Sequence, residues 1–294
     1  MDSLGHNGRH QAIGTGSVTN KAISEQPIGV FDSGVGGLTV LKAIRERLPG
    51  EHLVYLGDTA RLPYGTKSPA SVLRYAMQAT AHLRTRGVKM LVIACNTASA
   101  VALEELQKAL APLPVIGVVE PGARAAIAAR PAARHLVLAT EATVRLGAYG
   151  KAIRRLDPSA SVKELACELM VAQAEEGWTR GEVATAIIRE YLRPMISGPG
   201  AYQPESLILG CTHFPILGDA IRSIVSAQVS ITDSAGTTAT VVASELAARG
   251  LDRMPNGPAR MQLLATDGAT RFARVGGTFL GEQLAAGDIE LVDL

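Results

Sequence analysis

The chain has 294 residues, of which 47% are hydrophobic and 19% charged, with a formal net charge of +2. That is enough apolar material for one large or two moderate cores. The near-neutral balance, without a lysine or arginine run, excludes the broad basic face that grips a phosphate backbone, so no nucleic-acid partner is expected. No apolar stretch reaches the roughly 18 to 20 uninterrupted residues that a bilayer span needs, so no membrane association is expected either.

Three cysteines in a chain of this size do not make a disulfide framework, and the odd count leaves at least one thiol free. A reducing cytoplasm is the predicted location. Residues 1–25 are rich in Gly, Ser, Asn and charge and carry no apolar h-region or small-residue cleavage pattern. They are read as a flexible, dispensable tail, with His6 and His10 solvated rather than metal-binding.

After the tail, short apolar runs alternate with longer amphipathic stretches, the pattern of parallel strands joined by helical crossovers. In chain order, strands are predicted at 27–32 (PIGVFD), 52–58 (HLVYLGD), 89–95 (KMLVIAC), 114–120 (PVIGVVE), 135–140 (HLVLAT), 206–211 (SLILGC) and 229–234 (VSITDS). Helices are predicted at 39–48, 68–86, 98–111, 122–130, 143–156, 181–192 and 216–227. The Pro- and Gly-rich stretch 194–204 (PMISGPGAYQP) reads as a loop. Val, Ile and Leu fill the strands without polar alternation, so helices should cover both faces of each sheet.

Nearly every strand ends in a small or polar motif, and in open α/β sheets ligands bind outside the carboxyl ends of the strands. These motifs should therefore gather around one cleft. FDSGVGG places Asp32 and Ser33 at a strand end before three glycines. Such a loop lets the backbone approach a carboxylate or phosphate, and it equally suits an ordinary tight turn. YLGDTARLPYG combines Asp58 with a turn at Pro63, Tyr64 and Gly65, which fits either a carboxylate-holding loop or a surface turn.

The cysteine motifs are more specific. In ACNTAS, Cys95 stands at a helix start where Asn96, Thr97 or Ser99 could cap, and the positive end of a helix favours thiolate. GCTHFP repeats the arrangement at Cys211 and adds His213, a group able to exchange a proton near neutral pH. A buried structural role remains open for each thiol. Two such thiols, from two halves of the chain, point to proton exchange on both faces of one carbon. Cys167 has no polar cluster after it and reads as a packing residue. A zinc site from Cys95, Cys167, Cys211 and His213 lacks any CxxC pair or close Cys/His spacing, so no metal is expected.

Taken together, FDSGVGGLTVL, YLGDTARLPYG, IACNTASA, VIGVVEPG, ATEATV and LGCTHFP resemble the glutamate racemase family in order and spacing, from about Pro27 to the closing ELVDL. The resemblance implies two pseudo-symmetric α/β domains with mostly parallel sheets and the active site in the cleft between them. It implies interconversion of L- and D-glutamate without cofactor, with Cys95 acting on D-glutamate and Cys211 on L-glutamate. Asp32 and His213 would assist the respective thiols, and Glu175 would be the acidic residue near the second one. Implied substrate contacts are Asp32, Ser33, Pro63, Tyr64, Gly65, Asn96, Thr97, Thr140, Thr143, Thr212 and His213. A homodimer and a role in supplying D-glutamate for peptidoglycan are also implied.

Two departures from the family pattern stand out. CELMVAQAE carries Glu168 and Ala172 where the family often has prolines, and LATEATV carries Ala139 and Ala142 where glycines are commoner. The expected organisation is a tail at 1–25, a first domain from 26–118 plus 231–294, and a second from 119–230. Rival readings are an aspartate racemase, a cysteine hydrolase using Cys211 and His213, which leaves Cys95 without a role, and a binding protein that has lost activity.

Overall fold

The computed structural model describes residues 22–254 and 257–294. From the N-terminal side, β1 (Ile28–Asp32), α1 (Leu38–Arg47), β2 (Leu53–Gly57), α2 (Pro69–Thr85), β3 (Met90–Ile93), α3 (Asn96–Leu110) and β4 (Val115–Gly117) alternate as strand and helix. The second series is α4 (Val119–Ala129), β5 (Arg134–Ala139), α5 (Glu141–Leu146), α6 (Ala148–Leu156), β6 (Ser161–Ala166), α7 (Glu168–Glu175), α8 (Gly181–Ile196), β7 (Ser206–Gly210), α9 (Gly218–Arg222) and β8 (Ser230–Asp233). The chain closes with α10 (Ser234–Arg249), β9 (Met261–Ala265), α11 (Ala269–Leu280) and β10 (Ile289–Leu291).

These strands make two sheets, ordered β10-β9-β2-β1-β3-β4 and β6-β5-β7-β8, with every pairing parallel. β1, β2, β3 and β7 are buried along their whole length, as unalternating apolar strands covered on both faces must be. One face of the first sheet packs on α2 and α3 through Val72, Ala76, Leu83, Ala102 and Leu106. The opposite face packs on α1 and α11, and that apolar cluster continues past α10, which lies along α1, into the second sheet. Emptying a core position such as Ile93 or Leu209 to alanine would cost about 2–5 kcal/mol. No helix among the described residues is long and apolar enough to cross a membrane.

All seven expected strands form, with a shorter fourth one: Val119 already begins α4, so Glu120 sits in a first helical turn, where a carboxylate is favoured. The single helix expected over 143–156 is broken at Gly147, whose φ of +61° ends α5 and turns the chain into α6. The helix expected over 216–227 is a 3-10 turn at Phe214–Leu217 followed by the five residues of α9. The helix expected to end at 192 runs to Ile196 and takes in Pro194, which forfeits one hydrogen bond in the last turns. Ile231–Asp233, expected in the first domain, pair instead with β7 in the second sheet. Of the expected tail, residues 22–25 are anchored: Ser24 is buried, its carbonyl accepts from Lys89 Nζ at 2.7 Å, and Glu25 pairs with Arg253 at 2.9 Å. His6 and His10 lie outside the described residues.

Candidate active site

Both cysteines stand at points where the order of strands reverses. From β1 the chain passes to β2 on one side and then to β3 on the other, so the loops after β1 and β3 leave in opposite directions and open a crevice. Ser33 and Cys95 flank it. The second sheet repeats the device: β5 pairs with β6 on one side and β7 on the other, and Thr140 and Cys211 flank that crevice. The two crevices face one another. Ser33, Pro63, Tyr64, Gly65, Cys95, Asn96, Thr97, Thr140, Glu175, Cys211, Thr212 and His213 line one cavity. Its free volume is about 30 Å³, room for little more than water. A wider groove of about 450 Å³ elsewhere, bounded by Gln107, Pro112, Arg124 and Arg249, holds neither thiol nor histidine.

Cys95 is the N-cap of α3, and the Ala98 N–H donates to its Sγ at 3.4 Å. Its own S–H points to Ser33 Oγ at 3.5 Å. Burial pushes this thiol up to about 12, helped by the Asp32 charge and opposed by the Ser33 and Ala98 hydrogen bonds. Asp32 is fully buried and is not among the residues that line the cavity; it reaches Cys95 through its charge. Its Oδ2 accepts from the Gly34 N–H at 2.9 Å. Burial raises its carboxyl, against the pull of His213 and of the turn's backbone donors.

Cys211 is held differently. No full helix follows it, so the dipole that serves Cys95 has no counterpart, and His213 takes that place with Nδ1 3.7 Å from Sγ. His213 Nε2 lies 3.1 Å from Glu175 Oε1, and Arg271 Nη2 reaches Glu175 Oε2 at 2.7 Å. Burial pulls His213 down, but its hydrogen bonds to Cys211 and Glu175 and the charges of both outweigh that and bring it up to about 10. Burial likewise opposes the ionisation of Glu175, and His213 and Arg271 outweigh it, holding the carboxyl below its ordinary value.

Around the thiols the polar residues form two groups. Thr97 Oγ1 lies 2.8 Å from Thr140 Oγ1 and 3.4 Å from Thr143 Oγ1, and the last two are 3.0 Å apart. Ala139 and Ala142 are accommodated in the core beside them without parting the cluster. Thr143 stands behind the cavity wall, reaching it through Thr97 and Thr140. Tyr64 donates to Asp58 Oδ2 at 2.5 Å, Arg61 donates to the same oxygen at 2.7 Å, and Thr266 donates to Oδ1 at 3.0 Å. Asp58 thereby fixes the loop carrying Pro63 and Gly65. Thr39 Oγ1 donates to the Thr212 carbonyl at 3.2 Å, tying α1 to the Cys211 turn.

Sequence reasoning missed Arg271, which no local motif marks, and did not count Glu168 as part of the site. Glu168 lines the cavity, and its Oε1 accepts from the Glu141 N–H at 2.5 Å. Its signal was visible as the charged residue in place of a proline. Cys167 is buried in the core and donates to the Leu165 carbonyl at 3.5 Å, consistent with its reading as packing.

Residues 28–242 match the family described as Asp/Glu/Hydantoin racemase, and the chain belongs to that family, a family of isomerases. Within it the near relatives are glutamate racemases. The one from Geobacter metallireducens is 48% identical over 91% of this chain and 96% of its own. Among solved structures, the glutamate racemase of Francisella tularensis in complex with D-glutamate is 34% identical with a TM-score of 0.84, covering 92% of this chain and 98% of that one. That of Thermus thermophilus, in complex with β-chloro-D-alanine, is 43% identical with a TM-score of 0.81 over the same shares, 92% and 98%.

Proposed function

We propose that this protein interconverts L- and D-glutamate by a two-base mechanism, with Cys95 serving the D face of the α-carbon and Cys211 the L face. The observation that carries the reading is that the two thiols line one narrow cavity from different sheets. For D-glutamate, Cys95 must first give up its proton, which burial and the Asp32 charge oppose and the Ser33 and Ala98 hydrogen bonds favour; the thiolate then takes the α-proton, and the C–H electron pair moves into the α-carbon and its carboxylate. The Cys211 S–H then delivers a proton to the opposite face, and its electrons stay on that sulfur. Cys95 ends protonated and Cys211 ends as thiolate, poised for the reverse reaction.

Four features support this cycle. His213, raised by its contacts with Cys211 and Glu175 against the effect of burial, is a counter-charge for the Cys211 thiolate when it forms, and Glu175 holds the ring in place. Ser33 and the Ala98 N–H are hydrogen-bond partners for Cys95. The Asn96 amide and the threonine hydroxyls offer donors to the α-carboxylate as charge develops on it. The narrow cavity leaves little room for water to compete. The reading calls for no cofactor or metal. It includes a cytoplasmic homodimer supplying D-glutamate for peptidoglycan, and two domains dividing near residue 119 and again after β8.

The test is to incubate the purified protein with L-glutamate, and separately L-aspartate, in deuterated water without cofactor. Optical rotation and α-deuterium are followed together. Racemisation of glutamate in preference to aspartate, abolished in both Cys95→Ala and Cys211→Ala, is expected. Full activity in either variant contradicts the two-base cycle, and faster turnover of aspartate contradicts the substrate.

A further inference from the structure

Between the two cysteine turns stands a residue with no part in the cycle above. Tyr149, in α6, is fully buried and donates to Asn96 Oδ1 at 2.7 Å. Asn96 directly follows Cys95. The edge of the same ring lies against Gly210, which directly precedes Cys211: a Cβ there would stand 2.9 Å from Tyr149 Cε2. A Cβ on Gly122 of α4 would stand 3.2 Å from the phenol oxygen. Two glycines thus clear the space this one side chain fills, and it touches the neighbours of both thiols.

The polarity of the contact matters. An amide has one acceptor end and one donor end, and its neighbours decide which way it faces. Burial raises the Tyr149 phenol above its ordinary value, against the opposing pull of the neighbouring Ser234, and so keeps it protonated. The phenol's proton is therefore available to Asn96 Oδ1, which leaves Asn96 Nδ2 as a buried donor without a partner in a residue that lines the cavity.

We propose that Tyr149 is a positioning residue that locks the Asn96 amide with its NH2 group presented to the substrate carboxylate. This rests on the racemase reading for the nature of the substrate, while the lock itself follows from the contacts. Without the phenol hydroxyl the amide is free to rotate and present its oxygen to an anion, which repels it. Binding should suffer more than the chemical step.

The experiment is a double-mutant cycle on the full chain with Tyr149→Phe, Asn96→Ala and the double variant. It measures glutamate binding by calorimetry, kcat and KM in each direction, and the thermal midpoint. Expected for Tyr149→Phe is a KM and Kd about 3- to 10-fold higher, the range of one neutral hydrogen bond, with a smaller change in kcat. Asn96→Ala should show a similar weakening, and the double variant no further loss. Unchanged KM in Tyr149→Phe, or losses that multiply in the double variant, overturns the lock. A wild-type chain that binds glutamate without racemising it would instead overturn the proposed reaction, and calorimetry would still test the lock.

Discussion

Glu175 Oε1 stands 3.1 Å from His213 Nε2, while Arg271 holds the other oxygen of the same carboxylate. The pair joins α7 to the turn after β7, and Arg271 brings in α11, which packs on α1. A charged chain therefore runs from the surface to Cys211. Glu175→Gln keeps the size and removes the charge. Hydrogen bonds to charged groups contribute about 1.5–3 kcal/mol, and each 1.36 kcal/mol is a factor of ten, so kcat should fall roughly ten- to hundredfold. Because the two enantiomers are equal in free energy, kcat/KM must fall equally in both directions. The station-specific effect should appear as unequal changes in the two kcat values, read by polarimetry from each enantiomer.

Arg271 is half-exposed, with 54% of its side chain accessible, so solvent screens its pairing with Glu175. Arg271→Met should lower kcat only fewfold, and raising the salt concentration should narrow the difference from wild type. A hundredfold loss in kcat measured at high salt would show that this guanidinium acts by more than its charge.

His213 also links stability to pH. Burial works against its charge, but Cys211 and Glu175 raise it from 6.5 to about 10. The protonated ring thus stabilises the fold fully below the unfolded value and loses that contribution as pH rises through about 10. The depressed Glu175 contributes above its unfolded value of 4.5 and loses its share as the solution becomes more acidic. The gap in thermal midpoint between wild type and His213→Asn should be wide at about pH 6 and narrow by about pH 10.5. A gap that widens with pH would contradict the charged-ring assignment.

Gly36 shows how tightly this station is built. A Cβ on it would come within 2.5 Å of His213 Nδ1 and equally close to Thr212 Oγ1. Gly36→Ala should destabilise the protein by about 1–3 kcal/mol, as overpacking does, and push the imidazole away from Cys211, so activity should fall in the protein that remains folded. Gly236→Ala, where a Cβ meets nothing within 4 Å, is the control and should leave activity intact. Denaturant melts with activity assays on both variants make the comparison.

The parallel sheets were legible because their strands are short apolar runs ending in small or polar residues, as at 89–95 and 206–211. Strands without that pattern escaped. β6 is an edge strand carrying Lys163 and Glu164, and β9 and β10 include exposed or partly exposed positions. The helix after Cys211 was overestimated because its apolar composition hid the punctuation by Pro215 and Gly218. Cys95, Cys211 and their immediate neighbours could be read from local motifs. Arg271 and Tyr149 could not, because they come from α11 and α6 and meet the site only through folding.

The central claim is that two thiols serve two faces, and the isotopic content of the first product tests it most directly. L-glutamate is incubated in deuterated water, quenched at a few per cent conversion, resolved by chiral chromatography and weighed by mass spectrometry. With one thiol removing the proton and a different, solvent-equilibrated thiol replacing it, the D-glutamate should carry α-deuterium in nearly every molecule, while unreacted L-glutamate stays largely protiated. D-glutamate that retains the original α-proton would mean one group carries it from face to face, and the two-thiol account would be wrong.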